Sequence, residues 1–422
     1  MVETQRTSAE AEVPAVMPAR AELAVAIAGH INAGTIGPVL RAAEQGLSAG
    51  FPGRHGVFLL ADQDPADGTL AAAREAVADP ARLIPVTLAA ESQRSGPSFS
   101  RAQMLKQIFE SAAGLGAEAL AVVDADLTTV EPEGIRRLLR PVLEQGVDFV
   151  APYYVRPKFG GAITSSIVYP FTRALYGRRI RFPTGGDFAC SGRFGQFCSA
   201  QSTWGGDGGR IVTDLWLVHR ALVGGFKLAQ AVIGVRSGSA PDEDPELSAV
   251  LARVLGTLFG EAERNVPFWQ KVRTSEPLAL VGTPAGAEQD GPAIDLQQTV
   301  HAFRLGLEHL KPVWDAVLPP TTLLELRKLA RRSEGEFRLP DSLWARIVYD
   351  FAIAYHTRAM SREHLLSAFT PLYFGWFASH VGQMAGADFA RSEQRVEELC
   401  LRFEAEKPYL ISRWRWPDRF NP

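Results

Sequence analysis

Cysteine is scarce: three in 422 residues, Cys190, Cys198 and Cys400. Three thiols cannot frame a chain of this length with disulfides, so packing must hold it, and a reducing cytoplasmic setting is expected. Long apolar runs are also missing. No stretch of roughly 18 apolar residues occurs, which leaves no candidate membrane span. Nor is charge of one sign in excess. Lys+Arg numbers 44 and Asp+Glu 47, a formal net charge of −3. That balance argues against a nucleic-acid coat or a polybasic membrane anchor. It leaves room for a small anionic ligand, which needs only a few local cations. Residues 1–20 lack the basic start and apolar middle of a signal peptide and are expected to form a disordered tail.

Several chemical signatures are absent as well. There is no Gly-x-x-x-x-Gly-Lys-Ser/Thr phosphate loop, and Gly29-His30-Ile31-Asn32-Ala33-Gly34 lacks dinucleotide spacing. No Cys-x-x-Cys or His-Glu-x-x-His pattern offers a zinc site. No Gly-x-Ser-x-Gly elbow offers a serine nucleophile. The histidines are scattered, each read as a surface or packing residue.

What is present is apolar material in an alternating order. Hydrophobic residues make up 46% of the chain, enough for a sizeable core, and the length suggests about two to three domains. Apolar runs at 21–28, Val57–Leu60, Ile84–Leu88 and Ala119–Val123 read as buried strands. Helical patterns separate them, at about Gly37–Gly50, Thr69–Ala78 and 101–113. Val232–Val235 adds a strand. This alternation predicts an α/β fold built on a mostly parallel sheet. Ligands of such sheets bind beyond the carboxyl ends of the strands. The turns Gly29–Gly34, Asp62–Asp67 and Asp124–Asp126 fall there. A Gly/Pro/Ala-rich linker is expected at 282–294, and a helical domain at 295–422. Leu296, Val300, Phe303, Leu307, Leu310, Trp314 and Val317 predict one helix with an apolar stripe. Ser361 is a candidate N-cap.

Four motifs can carry chemistry. Asp124-Ala125-Asp126 follows a buried strand, where alternation puts both carboxylates on one side. Their repulsion is relieved by a hard divalent cation such as Mg²⁺ or Mn²⁺, which also takes phosphate oxygens. The plainer alternative is two surface carboxylates capping a helix. The turn Asp62–Gly68 can offer a carboxylate to a ribose or base, or can be an Asp/Pro/Gly turn capped by Asp67. In Pro183-Thr184-Gly185-Gly186-Asp187-Phe188, two glycines let backbone approach a ligand and Asp187 can accept from hydroxyls; a tight turn with a solvated Asp is the alternative. Asp214 lies in the apolar segment 211–216, so it needs a partner or a task unless it caps a helix.

From about Ala24 to Ser239 these residues resemble nucleotide-sugar glycosyltransferases of the GT-A fold. The likeness is to the mannosylglycerate synthase and glucosyl-phosphoglycerate synthase type and to family-2-like bacterial enzymes. It is carried by Val25–Gly37, by Asp62 and Asp67-Gly68-Thr69, by Asp124-Ala125-Asp126, by Phe149–Tyr154 and by Gly185-Gly186-Asp187-Phe188. Tyr169-Pro170, Arg173–Gly177 and Ser191-Gly192 extend it. The resemblance implies a GT-A domain at 21–281 that moves a hexose from a donor of the GDP-mannose or UDP-glucose type to a small hydroxylated acceptor such as glycerate, with retention. It implies that Asp62 and Asp124, with Gly185 and Gly186, hold the nucleotide sugar, and that Asp124 and Asp126 hold Mg²⁺ or Mn²⁺. Asp187 and Asp214 would orient the reacting hydroxyls, and Arg156 and Thr164 an acceptor carboxylate and hydroxyl. The family adds a metal-ligating histidine about two dozen residues past the Asp214 position. Here Gly234-Val235-Arg236-Ser237-Gly238-Ser239 has none, leaving Asp242 and Asp244 as candidate substitutes. The segment before the 101–113 helix also departs, as Gly96-Pro97-Ser98-Phe99-Ser100-Arg101.

Two other readings stay open: a non-catalytic nucleotide-sugar-binding module, and a nucleotidyltransferase, which would want a Gly-x-Gly-Thr-Arg-like first turn. The helical domain has no motif; it covers the acceptor site or forms a homodimer.

Overall fold

The computed structural model describes residues 20–28, 33–61, 68–86, 101–125, 127, 129–202, 204, 212–236, 246–284 and 294–416. The expected tail, the Gly29–Asn32 part of the first turn, Asp62, Asp67, Asp126, Asp242 and Asp244 lie outside the described residues.

Eight strands form one sheet: β1 (Leu23–Ala28), β2 (Gly56–Ala61), β3 (Leu83–Pro85), β4 (Ala119–Asp124), β5 (Phe149–Val155), β6 (Phe188–Ser191), β7 (Leu228–Val235) and β8 (Leu280–Val281). Their order is β8-β7-β5-β6-β4-β1-β2-β3. Every pairing is parallel except those of β6, which runs against β4 and β5. Crossovers include α1 (Ala33–Gly50), α2 (Thr69–Ala76), α3 (Arg101–Gly114) and α4 (Pro132–Gln145). Between β5 and β7 lie α5 (Tyr169–Tyr176), α6 (Gly192–Ser199) and α7 (Thr213–Val223); α8 (Leu247–Arg264) follows β7. The α/β expectation is met. The short antiparallel strand β6 is an addition, only four residues long between a glycine-containing turn and α6.

Strand alternation builds two cores. Leu23, Val25 and Ile27 of β1 pack with α1 and α4 on one face. Ala24, Ala26 and Ala28 face the other way, where small side chains let α3 approach with Met104, Leu105 and Ile108. The second core runs on into the helices that follow the sheet.

Those helices are α9 (Leu296–His309), α10 (Lys311–Val317), α11 (Pro320–Ala330), α12 (Asp341–Thr357), α13 (Arg362–Ser367), α14 (Thr370–Met384) and α15 (Phe389–Arg415). The single helix expected from the Leu296–Val317 stripe is in fact two. Pro312 lies in the first turn of α10. It has no N–H to continue a helix and its ring disfavours helical backbone before it. Ser361 caps α13, its side chain accepting from the His364 N–H. The helices are tied to the first region by specific bonds: Trp344 Nε1 donates to the Ser166 carbonyl at 3.0 Å, and buried Lys407 Nζ donates to the Ala174 carbonyl at 2.7 Å. No helix among the described residues is long and apolar enough to cross a membrane.

Candidate active site

The parallel strands bring their carboxyl ends to one edge. Ala28 at the end of β1 is in register with Asp124 at the end of β4. Because β6 runs the other way, it begins where they finish: Phe188 pairs with Val122, and Asp187 just before it reaches the same edge. The Asp124 N–H donates to Asp187 Oδ1 at 2.7 Å. Tyr154, near the end of β5, donates its hydroxyl to Asp187 Oδ2. Arg236, the residue after β7, donates from Nη1 to Asp187 Oδ2 at 2.9 Å and from Nη2 to Asp124 Oδ2 at 2.9 Å. One guanidinium thus bridges two carboxylates.

A second pair stands beside the first. Arg101, the first residue of α3, donates from Nε to Asp214 at 3.0 and 2.8 Å. Its Nη2 donates to the Gly186 carbonyl. Asp214 is in the first turn of α7 and is buried. Its side chain is thus neither bare nor a plain cap; its partner is Arg101.

Burial dominates the electrostatics. It pushes the fully enclosed Asp187 carboxyl up, with Arg236 opposing. Burial likewise pushes Asp214 up, with Arg101 opposing. For Arg236, burial works against the charge, but the Tyr154, Asp187 and Asp124 oxygens around it outweigh burial and raise its pKa. Both arginines therefore remain charged. The glycine pair is needed for space. A Cβ on Gly185 would lie 2.3 Å from Pro152 Cγ, and one on Gly186 would lie 3.1 Å from Arg101 Nη2 and 3.2 Å from Asp124 Oδ2.

Of the two expected cation ligands, Asp124 already accepts from Arg236, and Asp126 lies outside the described residues. Asp124, Asp187 and Asp214 are all taken by guanidinium or phenol donors. Among the described residues no group of three or more His, Cys, Asp or Glu is arranged to hold a metal.

Next to this cluster a pocket opens between β5 and the C-terminal helices, lined by Arg156, Lys158, Arg181, His380 and Glu393 among others. The Arg156 guanidinium lies over the rings of Tyr154 and Phe182, 5.1 and 5.4 Å from their centroids. Burial pulls its pKa down to about 10, and among the described residues its Nε has no hydrogen-bond partner. Glu393 of α15 takes Arg181 instead, at 2.9 and 2.7 Å, and accepts from the Tyr153 hydroxyl at 3.2 Å.

No protein-family model matches the chain. No curated protein matches it either. Solved structures do. Glucosyl-3-phosphoglycerate synthase from Mycobacterium tuberculosis, in complex with Mg²⁺ and uridine diphosphate, is 18% identical with a TM-score of 0.41, over 58% of this chain and 79% of that one. The same enzyme with Mn²⁺, UDP-glucose and phosphoglyceric acid has a TM-score of 0.40 at 18% identity, over 58% and 79%. Mannosyl-3-phosphoglycerate synthase from Rubrobacter xylanophilus is 22% identical with a TM-score of 0.43, over 57% and 75%. The site's own geometry must carry its chemistry.

Of the residues singled out in the sequence, Asp124, Asp187, Asp214, Gly185 and Gly186 come together at one edge of the sheet. Arg156 stands in the adjoining pocket. Thr164 opens the turn before α5, and its hydroxyl meets that of Thr184 at 3.0 Å, next to the glycine pair. Asp62 and Asp126 lie outside the described residues. Sequence reasoning gave no role to Arg101, Arg236, Tyr154, Arg181 or Glu393. A signal existed for two of them: Arg236 directly follows an apolar strand and Arg101 opens a helix, both places where α/β sheets bind anions.

Proposed function

We propose that this chain is a glycosyltransferase that moves a hexose from a nucleoside diphosphate sugar to a small hydroxylated acceptor carrying an anionic group. One observation supports this above the rest: three carboxylates, two fixed guanidiniums and a glycine pair converge at the carboxyl ends of a mostly parallel sheet. Guanidiniums suit a diphosphate, carboxylates suit sugar hydroxyls, and the glycines let backbone come close. The Arg156 pocket supports the acceptor half, since a half-buried guanidinium whose Nε has no partner among the described residues suits a carboxylate such as that of glycerate.

In the reaction, the bond from the sugar C1 to the diphosphate oxygen breaks and its electron pair stays on that oxygen. The acceptor oxygen bonds to C1. Its proton passes to the released diphosphate, from the same face if configuration is retained as we propose. Asp214 orients hydroxyl groups, a positioning task, whereas Asp187, fully buried with both oxygens engaged, acts through Arg236. Arg101 and Arg236 meet the charge that grows on the leaving group.

A thermal-shift screen of UDP-, GDP- and ADP-sugars, with and without Mg²⁺ or Mn²⁺, tests the donor half. A ligand at 100 times its Kd adds about 2.7 kcal/mol of apparent stability, so the right donor stands out. Mass spectrometry of that donor with glycerate then tests transfer. Binding without transfer to any acceptor would favour a non-catalytic module. No shift with any donor would sink the proposal.

A further inference from the structure

The site must present positive charge to a diphosphate, and carboxylates alone cannot. Two sources of charge are open to it, a divalent cation held by the carboxylates or a side chain. Four observations on Arg236 bear on the choice. Its guanidinium sits between Asp124 and Asp187, 2.9 Å from each. It also lies 5.4 Å from the Tyr154 ring centroid, so a face of the guanidinium rests on an aromatic ring. Its side chain is 26% exposed, so it is anchored and still reaches the crevice. Asp187, which anchors it, is itself fully buried and held by Tyr154 and by the Asp124 N–H.

A divalent ion on the same oxygen of Asp124 would stand within a few ångströms of this guanidinium. Like charges that close repel, and among the described residues the carboxylates that would offset the repulsion, Asp124 and Asp187, are already shared. Arg101 adds a second fixed cation, tied to Asp214 and to the Gly186 carbonyl. Planar guanidiniums match phosphate oxygens with paired N–H donors.

We infer that Arg236, with Arg101 beside it, supplies the charge that a divalent cation would otherwise supply, so that this chain binds the diphosphate of its donor without metal. Asp124 and Asp187 then act as positioning residues, holding the Arg236 fork toward the crevice. The inference rests on the glycosyltransferase reading above and deepens it.

The test uses the full chain, stripped with EDTA and titrated calorimetrically with UDP, GDP and ADP, each in EDTA and again with Mn²⁺. One of the three is expected to bind with the same affinity, within about threefold, in both conditions. Arg236→Gln should weaken that binding about ten- to one-hundred-fold in EDTA, the worth of a charge-assisted bond. Arg236→Lys should recover part of it. Binding that appears only with Mn²⁺ would overturn the inference and leave the glycosyltransferase reading standing. So would an Arg236→Gln protein, folded by circular dichroism, that binds as the wild type does. If no nucleoside diphosphate binds in either condition, the glycosyltransferase reading itself fails and the inference falls with it. Should Arg236→Gln not fold, the wild-type comparison between EDTA and Mn²⁺ decides alone.

Discussion

Gly185 and Gly186 are neighbours, yet alanine at each should do different things. At Gly185 the added methyl would lie 2.3 Å from Pro152 Cγ and 3.1 Å from both Cε2 and the hydroxyl oxygen of Tyr154. Carbon atoms in contact normally sit about 3.5–4.0 Å apart, so Pro152 must move by more than about 1 Å. Pro152 lies in β5, buried and paired with Ala231 of β7, and has no solvent to move into. Overpacking of this kind costs about 1–3 kcal/mol. At Gly186 the methyl would meet only the ends of two side chains, Arg101 Nη2 at 3.1 Å and Asp124 Oδ2 at 3.2 Å. A small adjustment relieves it, at less than about 0.5 kcal/mol. Those two ends, however, belong to Arg101, proposed to meet the donor, and to Asp124, which holds Arg236 toward it. Urea denaturation followed by tryptophan fluorescence should therefore show Gly185→Ala weakened and Gly186→Ala nearly as stable as wild type. Calorimetry should show Gly186→Ala weaker toward its nucleotide by about tenfold, or about 1.4 kcal/mol. Equal stability of Gly185→Ala and wild type would refute the packing argument. A Gly186→Ala protein with unchanged affinity would refute the placement of the donor.

Three further outcomes are expected. Arg101→Met strands the buried Asp214 carboxylate and should cost about 2–4 kcal/mol, whereas Arg101→Met with Asp214→Asn should recover most of it; equal losses in urea would show that the pair is not coupled. His219 is fully buried, stacked 4.4 Å from Tyr176 and close to Glu261 and Arg220. Burial lowers its pKa from 6.5 to about 4, so the unfolded chain binds the extra proton first and stability should fall as the pH drops from about 6.5 toward 4. His219→Phe should flatten that fall, read as the change in urea midpoint between pH 7.5 and 5; an unchanged slope would assign it to other groups. Ser361→Ala removes the cap on α13 and should cost about 0.5–1 kcal/mol by the same assay.

The parts of this molecule legible in the sequence are those whose signal is local. β1, β2 and β4 are uninterrupted apolar runs, which a sheet covered on both faces requires. Asp124 stands out because a charge directly ends such a run, and Asp187 because two glycines precede it. The Leu296–Val317 stripe misled for the same local reason: apolar spacing continues across Pro312 although the backbone cannot. β6 escaped because four residues running straight into α6 carry no period. The partners of the site escaped on different grounds. Arg101 and Asp214 are 113 residues apart, Arg236 and Asp124 112, Arg181 and Glu393 212.

Such pairs exist only through the strand order. The resemblance implies a histidine near residue 236, where the sequence has Arg236 instead. The sequence could not show that the arginine standing there reaches across β5 and β6 to the carboxylate at the end of β4. That reach depends on β6 running backwards, because only then does Asp187 arrive at the carboxyl edge to hold the other side of the guanidinium. Asp187 and Tyr154, arranged around the arginine, fix a positive charge there. The seat of Arg236 between two carboxylates therefore follows from the antiparallel strand. A variant that keeps Arg236 but loosens its anchor, Tyr154→Phe, should weaken nucleotide binding in EDTA while leaving the protein folded, because the ring still packs on Phe182 at 5.3 Å between centroids. Unchanged binding in that variant would mean that Asp124 and Asp187 aim the guanidinium without the Tyr154 hydroxyl.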